Sequence, residues 1–331
     1  MESPPLDEGI VVYQTRHGLL CHHAHDQLIG RSLRLYGEWA EEEIYLLSSL
    51  IPSGGVVLDL GANIGTHALA FGRLVGPDGY VLAIDAQEEA FRLLVLNLGL
   101  NDLAQVHSLR AVLGQQSSLQ FLPVVRRWEG SNLAISNFSS PDHLKGDETS
   151  VRLPVPHLCV DDLNLPRCDL IKIDVEAMEL EVLSGATATM ERHRPAIYFE
   201  QTSARNFTQI YGLFAAANYC LFWHAADPFN LANYRGQPTN IFGGAKELNI
   251  LALAAEKMSR WRAPLATTLR RIESAAYDPP LRDAPCRWSL PANAYPESDR
   301  DSSLMKSLWQ TPSAVTTKAS KCSWWKKYRS R

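Results

Sequence analysis

Asp59, Asp85, Asp174 and Glu176, together with the turn from Gly61 to Gly65, are the residues whose type and spacing suit chemistry. The stretch Asp59-Leu60-Gly61-Ala62-Asn63-Ile64-Gly65 stands where a short apolar run, Val56 to Leu60, passes into helical spacing from Ile64 to Leu74. Ligands of open α/β sheets bind beyond the carboxyl ends of strands, at turns of this kind. Gly61 and Gly65 let backbone approach a ligand without a Cβ in the way, and Asn63 tolerates a left-handed conformation while offering an amide. One strand–helix unit later, Asp85 ends a second run, where a carboxylate can accept both hydrogen bonds of a ribose diol.

The turn also discriminates between nucleosides. A dinucleotide site needs G-x-G-x-x-G and a helix N-terminus open to pyrophosphate. Here the spacing is G-x-N-x-G, and Asp59 before the first glycine would repel a phosphate. S-adenosylmethionine has no phosphate and carries an ammonium and a sulfonium, so the acid-flanked turn favours it over NAD. Asp174, at the end of a later apolar strand, is expected to position the acceptor or act as base, with Glu176 as second carboxylate. Helix capping is the structural alternative for this pair. Glu200, ending the next strand, is expected at the same rim, and His67 one turn into the first helix is a weaker candidate. His22-His23-Ala24-His25-Asp26 has no accompanying ligands at metal spacing, so no metal is expected there.

The elements that must hold these residues alternate. Val56–Leu60, Tyr80–Ile84, Gln105–Leu109, Asp169–Ile173 and Ala196–Glu200 read as strands, with helices over Ile64–Leu74, Glu88–Leu100 and near Met178–Glu191. Such alternation implies a parallel sheet covered on both faces. Asn249–Leu253, reached after Tyr219–Trp223 and a Gly/Pro/Asn-rich loop, suits an antiparallel edge strand. The fold class expected is therefore α/β, a mostly parallel Rossmann-like sheet with helices on both faces. Residues 1–52 read as a lead-in on the substrate side, with a strand at Ile10–Tyr13 and a helix over Glu41–Leu50. Residues 53–255 read as the main domain, with a strand-rich insertion near 115–157 (Ser118–Val124 and Val151–Pro156 around a polar loop). Residues 256–331 read as a partly disordered extension with a helix around Pro264–Ala275.

Composition bounds the remainder. With 331 residues, 46% hydrophobic, 21% charged and a formal net charge of -4, the chain has no global basic field, and nucleic acid is not expected as a partner. The stretch Lys318–Arg331 is basic and ends in an aromatic-rich tail, read as a solvated end. Cys21, Cys159, Cys168, Cys220, Cys286 and Cys322 form no CxxC pair, and Met1–Glu8 is acidic and proline-bearing, unlike a secretory leader. Disulfides and a transmembrane segment are not expected, and the cytoplasm is the expected compartment.

The chain resembles the FkbM-type methyltransferases, a branch of the Rossmann-like class I enzymes, over roughly Arg16 to Ala254. The resemblance is carried by Tyr36-Gly37-Glu38-Trp39, by Val57 to Thr66, by Ile171-Lys172-Ile173-Asp174-Val175-Glu176 and by Asn249 to Ala252. It implies S-adenosylmethionine at the Gly61–Gly65 turn, Asp85 on the ribose and the Ala111-Val112 region beside the adenine. It also implies methylation of hydroxyl groups on sugars or secondary metabolites. Within the family-like Gly-Glu-Trp stretch, Glu38 and Trp39 are expected to line the acceptor pocket. The Asn-rich, aromatic stretches Gly130–Asn132 and Asn230–Asn240 suit contacts to sugar hydroxyls or plain turns. The chain departs from the family at Ala177, where glycine is usual. A nucleotide-dependent oxidoreductase and a non-catalytic binding protein on the same fold remain as alternatives.

Overall fold

A computed structural model describes residues 9–123, 152–201, 204–260, 269–280 and 288, all within one unit, Met1–Leu290. The polar loop expected at 126–150, the basic tail and the first residues of the chain lie outside the described residues. Strands β1 (Ile10–Thr15) and β2 (Gly18–His23) form an antiparallel hairpin, followed by helices α1 (Ile29–Tyr36) and α2 (Glu41–Ser48). Then come β3 (Val56–Leu60), α3 (Thr66–Val75), β4 (Tyr80–Asp85), α4 (Glu88–Leu100) and β5 (Val106–Arg110). Short strands β6 (Val112–Leu113), β7 (Ser118–Pro123) and β8 (Arg152–Leu158) make a separate three-stranded sheet. The main sheet resumes with β9 (Leu170–Ile173), helices α5 (Glu179–Ser184) and α6 (Thr187–His193), and β10 (Ala196–Glu200). Helix α7 (Phe207–Ala216) and strands β11 (Tyr219–Ala226), β12 (Glu247–Ala254) and β13 (Leu269–Arg271) complete it.

The eight-stranded sheet runs β13-β11-β12-β10-β9-β3-β4-β5, with β10 through β5 mutually parallel. This is the Rossmann-like α/β sheet. Strand alternation divides the core in two. Val57, Ala83, Leu170 and Tyr198 face α1–α4, whereas Leu58, Leu82, Ile171 and Ile197 face α5–α7. The chain reverses direction of strand addition between β3 and β9, which leaves a crevice at their carboxyl ends. Among the described residues, no helix is long and apolar enough to cross a membrane.

Several expectations are corrected. β12 is antiparallel, as the excursion before it suggested, but it pairs on both sides, with β10 and β11, so the antiparallel edge is β13. Leu269–Arg271 form that edge strand instead of part of a helix, because backbone pairing with Phe222, Trp223 and His224 outweighs local propensity. The helix expected near Met178–Glu191 is broken at Gly185. A Cβ there would lie 2.4 Å from the Gly114 oxygen, and its own carbonyl accepts hydrogen bonds from Asp161 N and Cys159 Sγ. Of the histidine-rich stretch, His22 and His23 close β2, with His22 buried and stacked on Tyr13.

Candidate active site

The β3–α3 turn is built from left-handed residues: Gly61 (φ 82), Asn63 (φ 49) and Gly65 (φ 94). The amides of Gly61 and Ala62 both donate to the Ile84 oxygen, which ties the turn to the end of β4. Asp85 locks the same turn from its side chain. Its Oδ2 accepts Asn63 N and its Oδ1 accepts Gln87 N, each at 2.8 Å. Burial, reinforced by Asp174 and Asp59 and opposed by these two bonds, raises the Asp85 carboxyl to about 6. Gly65 serves packing: a Cβ there would come within 2.7 Å of Leu94 in α4.

A cavity of about 250 Å³ opens at the carboxyl ends of β3, β4, β9 and β10. Of the residues expected at a site, Gly61, Asn63, Asp85 and Val112 line one part of it. Asp174, Glu176, Glu200, Trp39 and His67 line it as well. Asp59, Gly65 and Glu38 do not reach it. Asp59 is wholly buried below the floor, so the expected contact with a cationic ligand gives way to a contact with Lys172. Glu38 is corrected from pocket lining to scaffold: its carboxylate is taken by Arg16, Asn230 Nδ2 and Tyr234 N at 2.7–2.9 Å. The Asn230–Asn240 stretch is likewise scaffold: buried Asn233 is spent on its own backbone, and buried Asn230 accepts Ala232 N while its Nδ2 holds Glu38. Gly130–Asn132 lies outside the described residues.

Lys172 is the residue that sequence reading passed over as a site. It pairs in register with Asp59 across β3 and β9, so both side chains rise on the same face. Its Nζ lies 3.5 Å from Asp59 Oδ1 and 3.3 Å from Asp174 Oδ2, and the side chain is 4% exposed. Burial opposes the charge, but Asp174, Asp59 and Glu43 together raise the lysine above its usual range. The available signal was a charge inside the apolar run Leu170-Ile171-Lys172-Ile173, where an unpaired cation is not tolerated.

A further wall comes from α2, α3 and β12. Glu43 accepts Asn249 Nδ2 at 2.9 Å and faces His67 Nε2 at 3.4 Å. Burial raises Glu43 to about 7 and lowers His67 to about 3, leaving the imidazole neutral. Tyr198, beside Lys172 in the sheet, shares a hydrogen bond of 2.7 Å with buried His224. Burial first, then repulsion from Asp174, raises Glu176 and nearby Glu179 to about 7 and Glu200 to about 9. Glu176 (φ 51) and Ala177 (φ 69) are both left-handed, which accounts for the glycine usual at the second position. The arrangement offers an oriented carboxylate on one side of Gly61 and a graded set of acids around Lys172 on the other.

Residues 59–225 match the Methyltransferase FkbM domain family. The Methyltransferase sdnD of Sordaria araneosa is 28% identical over 176 residues, 46% of this chain and 67% of that protein. The AMB antimetabolite synthetase AmbE of Pseudomonas aeruginosa is 28% identical over 182 residues, which are 46% of this chain but 8% of that one. Among solved structures, the Methyltransferase FkbM of Methylobacillus flagellatus KT is 15% identical with a TM-score of 0.41. That likeness covers 63% of this chain and 47% of the other, so the chain spans about half of that protein's length.

Proposed function

Since the chain belongs to the FkbM methyltransferase family, we propose that it moves a methyl group from S-adenosylmethionine to a hydroxyl group. The acceptor in this reading is a carbohydrate or a secondary metabolite, and the similarity to an antimetabolite synthetase favours small-molecule chemistry. The observation that carries the reading is the pairing of Asp85 with the Gly61–Asn63 turn. Two backbone N–H groups fix both carboxylate oxygens, and each oxygen keeps a lone pair for a ribose hydroxyl. The residues fit the donor: Asp85 for the ribose, Gly61 and Asn63 against its backbone side, and Val112 beside the base. Asp59 supports the site from below, through Lys172.

When bound, the donor supplies a methyl carbon activated by positive sulfur, so the protein's work is to orient the acceptor and take its proton. Asp174 is exposed to the cavity and tethered by Lys172, which suits a carboxylate that receives or orients a hydroxyl proton. Glu176, raised to about 7, is a base of suitable strength near neutral pH. Glu200, raised to about 9, keeps its proton there and can donate a hydrogen bond to the acceptor. Trp39 supplies an apolar wall. In this reading residues 1–52 form the acceptor side of a 53–255 catalytic domain in a cytoplasmic enzyme.

The test is calorimetric titration with S-adenosylmethionine, S-adenosylhomocysteine and NADH, with Asp85→Ala as control. Binding of the first two, lost in Asp85→Ala, is the expected result, whereas tight NADH binding overturns the proposal. A labelled-methyl screen over glycans and metabolites then identifies the acceptor, and label found on nitrogen or carbon instead of oxygen overturns the hydroxyl assignment.

A further inference from the structure

Among the described residues lining the cavity, Lys172 is the one that carries positive charge, since the His67 imidazole is neutral. Around it the wall is acidic, with Glu43, Asp85, Asp174, Glu176 and Glu247. The donor proposed above is a zwitterion at its amino-acid end, with an ammonium and a sulfonium that these acids can receive and a carboxylate that they repel. An ammonium has three N–H donors. That of Lys172 makes one hydrogen bond, to Asp174, and leans on the Asp59 carboxylate, neither of whose oxygens is hydrogen-bonded. Lys172 therefore retains donor capacity while forming part of the cavity wall.

Its position in the sheet fits the same end of the ligand. Ala83, Asp59 and Lys172 stand in one row across β4, β3 and β9. Lys172 is thus two strand spacings, about 10 Å, from the strand that ends in Asp85. A ligand with ribose on Asp85 extends past Gly61 toward Lys172. We infer that Lys172 recognises the carboxylate of the donor's amino-acid end, with Asp59 as the buried counter-charge that keeps the ammonium in place. The inference rests on the donor assignment and adds the residue that reads the negative end of a mostly positive ligand.

A thermodynamic cycle tests it without any acceptor. S-adenosylmethionine and its decarboxylated analogue, which keeps adenosine, sulfonium and amine, are titrated by calorimetry into the wild type, Lys172→Met and Lys172→Arg. In the wild type, loss of the carboxylate weakens binding by about tenfold or more, as for a charge-assisted hydrogen bond. In Lys172→Met the two ligands bind alike, and Lys172→Arg keeps most of the discrimination. Lys172→Met strands the buried Asp59 charge, so the Asp59→Asn/Lys172→Met double variant is measured beside it and is expected to show the same loss of discrimination. If the ratio of the two affinities is the same in wild type and in the variants, Lys172 is only a counter-ion and the inference falls. If neither ligand binds the wild type, the proposed function falls with it.

Discussion

The backbone oxygen of Asp174 occupies the place of the Cβ that Gly61 lacks: a methyl group built there would lie 1.8 Å from it. The Gly61 turn of β3 and the end of β9 are thus in direct backbone contact. Any side chain at position 61 would push Asp174 away from the cavity, and the left-handed φ of 82 adds strain to every such substitution. The turn therefore positions Asp174 as much as it admits a ligand.

Asp174→Asn removes the charge while keeping shape and the Gly61 contact. Methyl transfer to the acceptor found by the screen should fall by about 100-fold or more. Donor affinity by calorimetry should change far less. Turnover at the wild-type level would remove Asp174 from the chemistry.

Ala177 sits at φ 69, and the left-handed region costs a non-glycine residue about 1–2 kcal/mol, part of which glycine returns as unfolded-state entropy. Ala177→Gly should stabilise the fold by about 1 kcal/mol, read as a higher urea midpoint with an unchanged slope. A lower midpoint would mean that the Ala177 methyl makes compensating contacts.

Glu200 provides a pH signature. Burial first, then Asp174, Glu247, Glu176 and Glu179, raises it from 4.5 to about 9, so between those values the folded state holds a proton that the unfolded state releases. Stability from this group is present below pH 4.5 and is lost as pH climbs toward 9. Glu200→Gln should thus melt higher than the wild type, with a gap that widens from pH 5 to pH 9. A gap independent of pH would refute the charge account.

Glu38 carries the opposite expectation to a site residue. Its buried carboxylate joins Arg16 to Asn230 and to the Tyr234 amide. Glu38→Ala should cost about 3 kcal/mol of stability, as for a broken buried ion pair. Donor affinity measured below the melting range should be unaltered, and a selective loss of affinity would return Glu38 to the site.

Residues that announce themselves locally were legible in the sequence. Val56–Leu60, Tyr80–Ile84 and Ala196–Glu200 are buried on both faces and read as apolar runs, and Asp85 and Asp174 follow from being their polar ends or that of β9. Helices α1 and α7 also carry readable spacings, Ile29/Leu33/Tyr36 and Phe207/Ile210/Phe214. What could not be read depends on distant partners. Lys172 gains meaning from Asp59 in another strand, Glu43 from Asn249 over two hundred positions on (206), and β13 from an edge it did not carry in its own pattern. Glu38 and Trp39 are adjacent in the chain, yet one turns into the scaffold and the other onto the cavity.

The central position of β12 bears on how this protein can be divided. The segment shared with the family ends at residue 225, before Glu247. An excised 59–225 fragment would retain the β3–α3 turn but leave β10 and β11 with bare edges where β12 had joined them. It would also lack Asn249 and Glu247 from the cavity and Glu43 from α2. The recognisable motif is thus not an autonomous piece. The wall where Glu43 meets Asn249 forms only when residues from both ends of the described chain have closed on the sheet, a contact of long sequence separation.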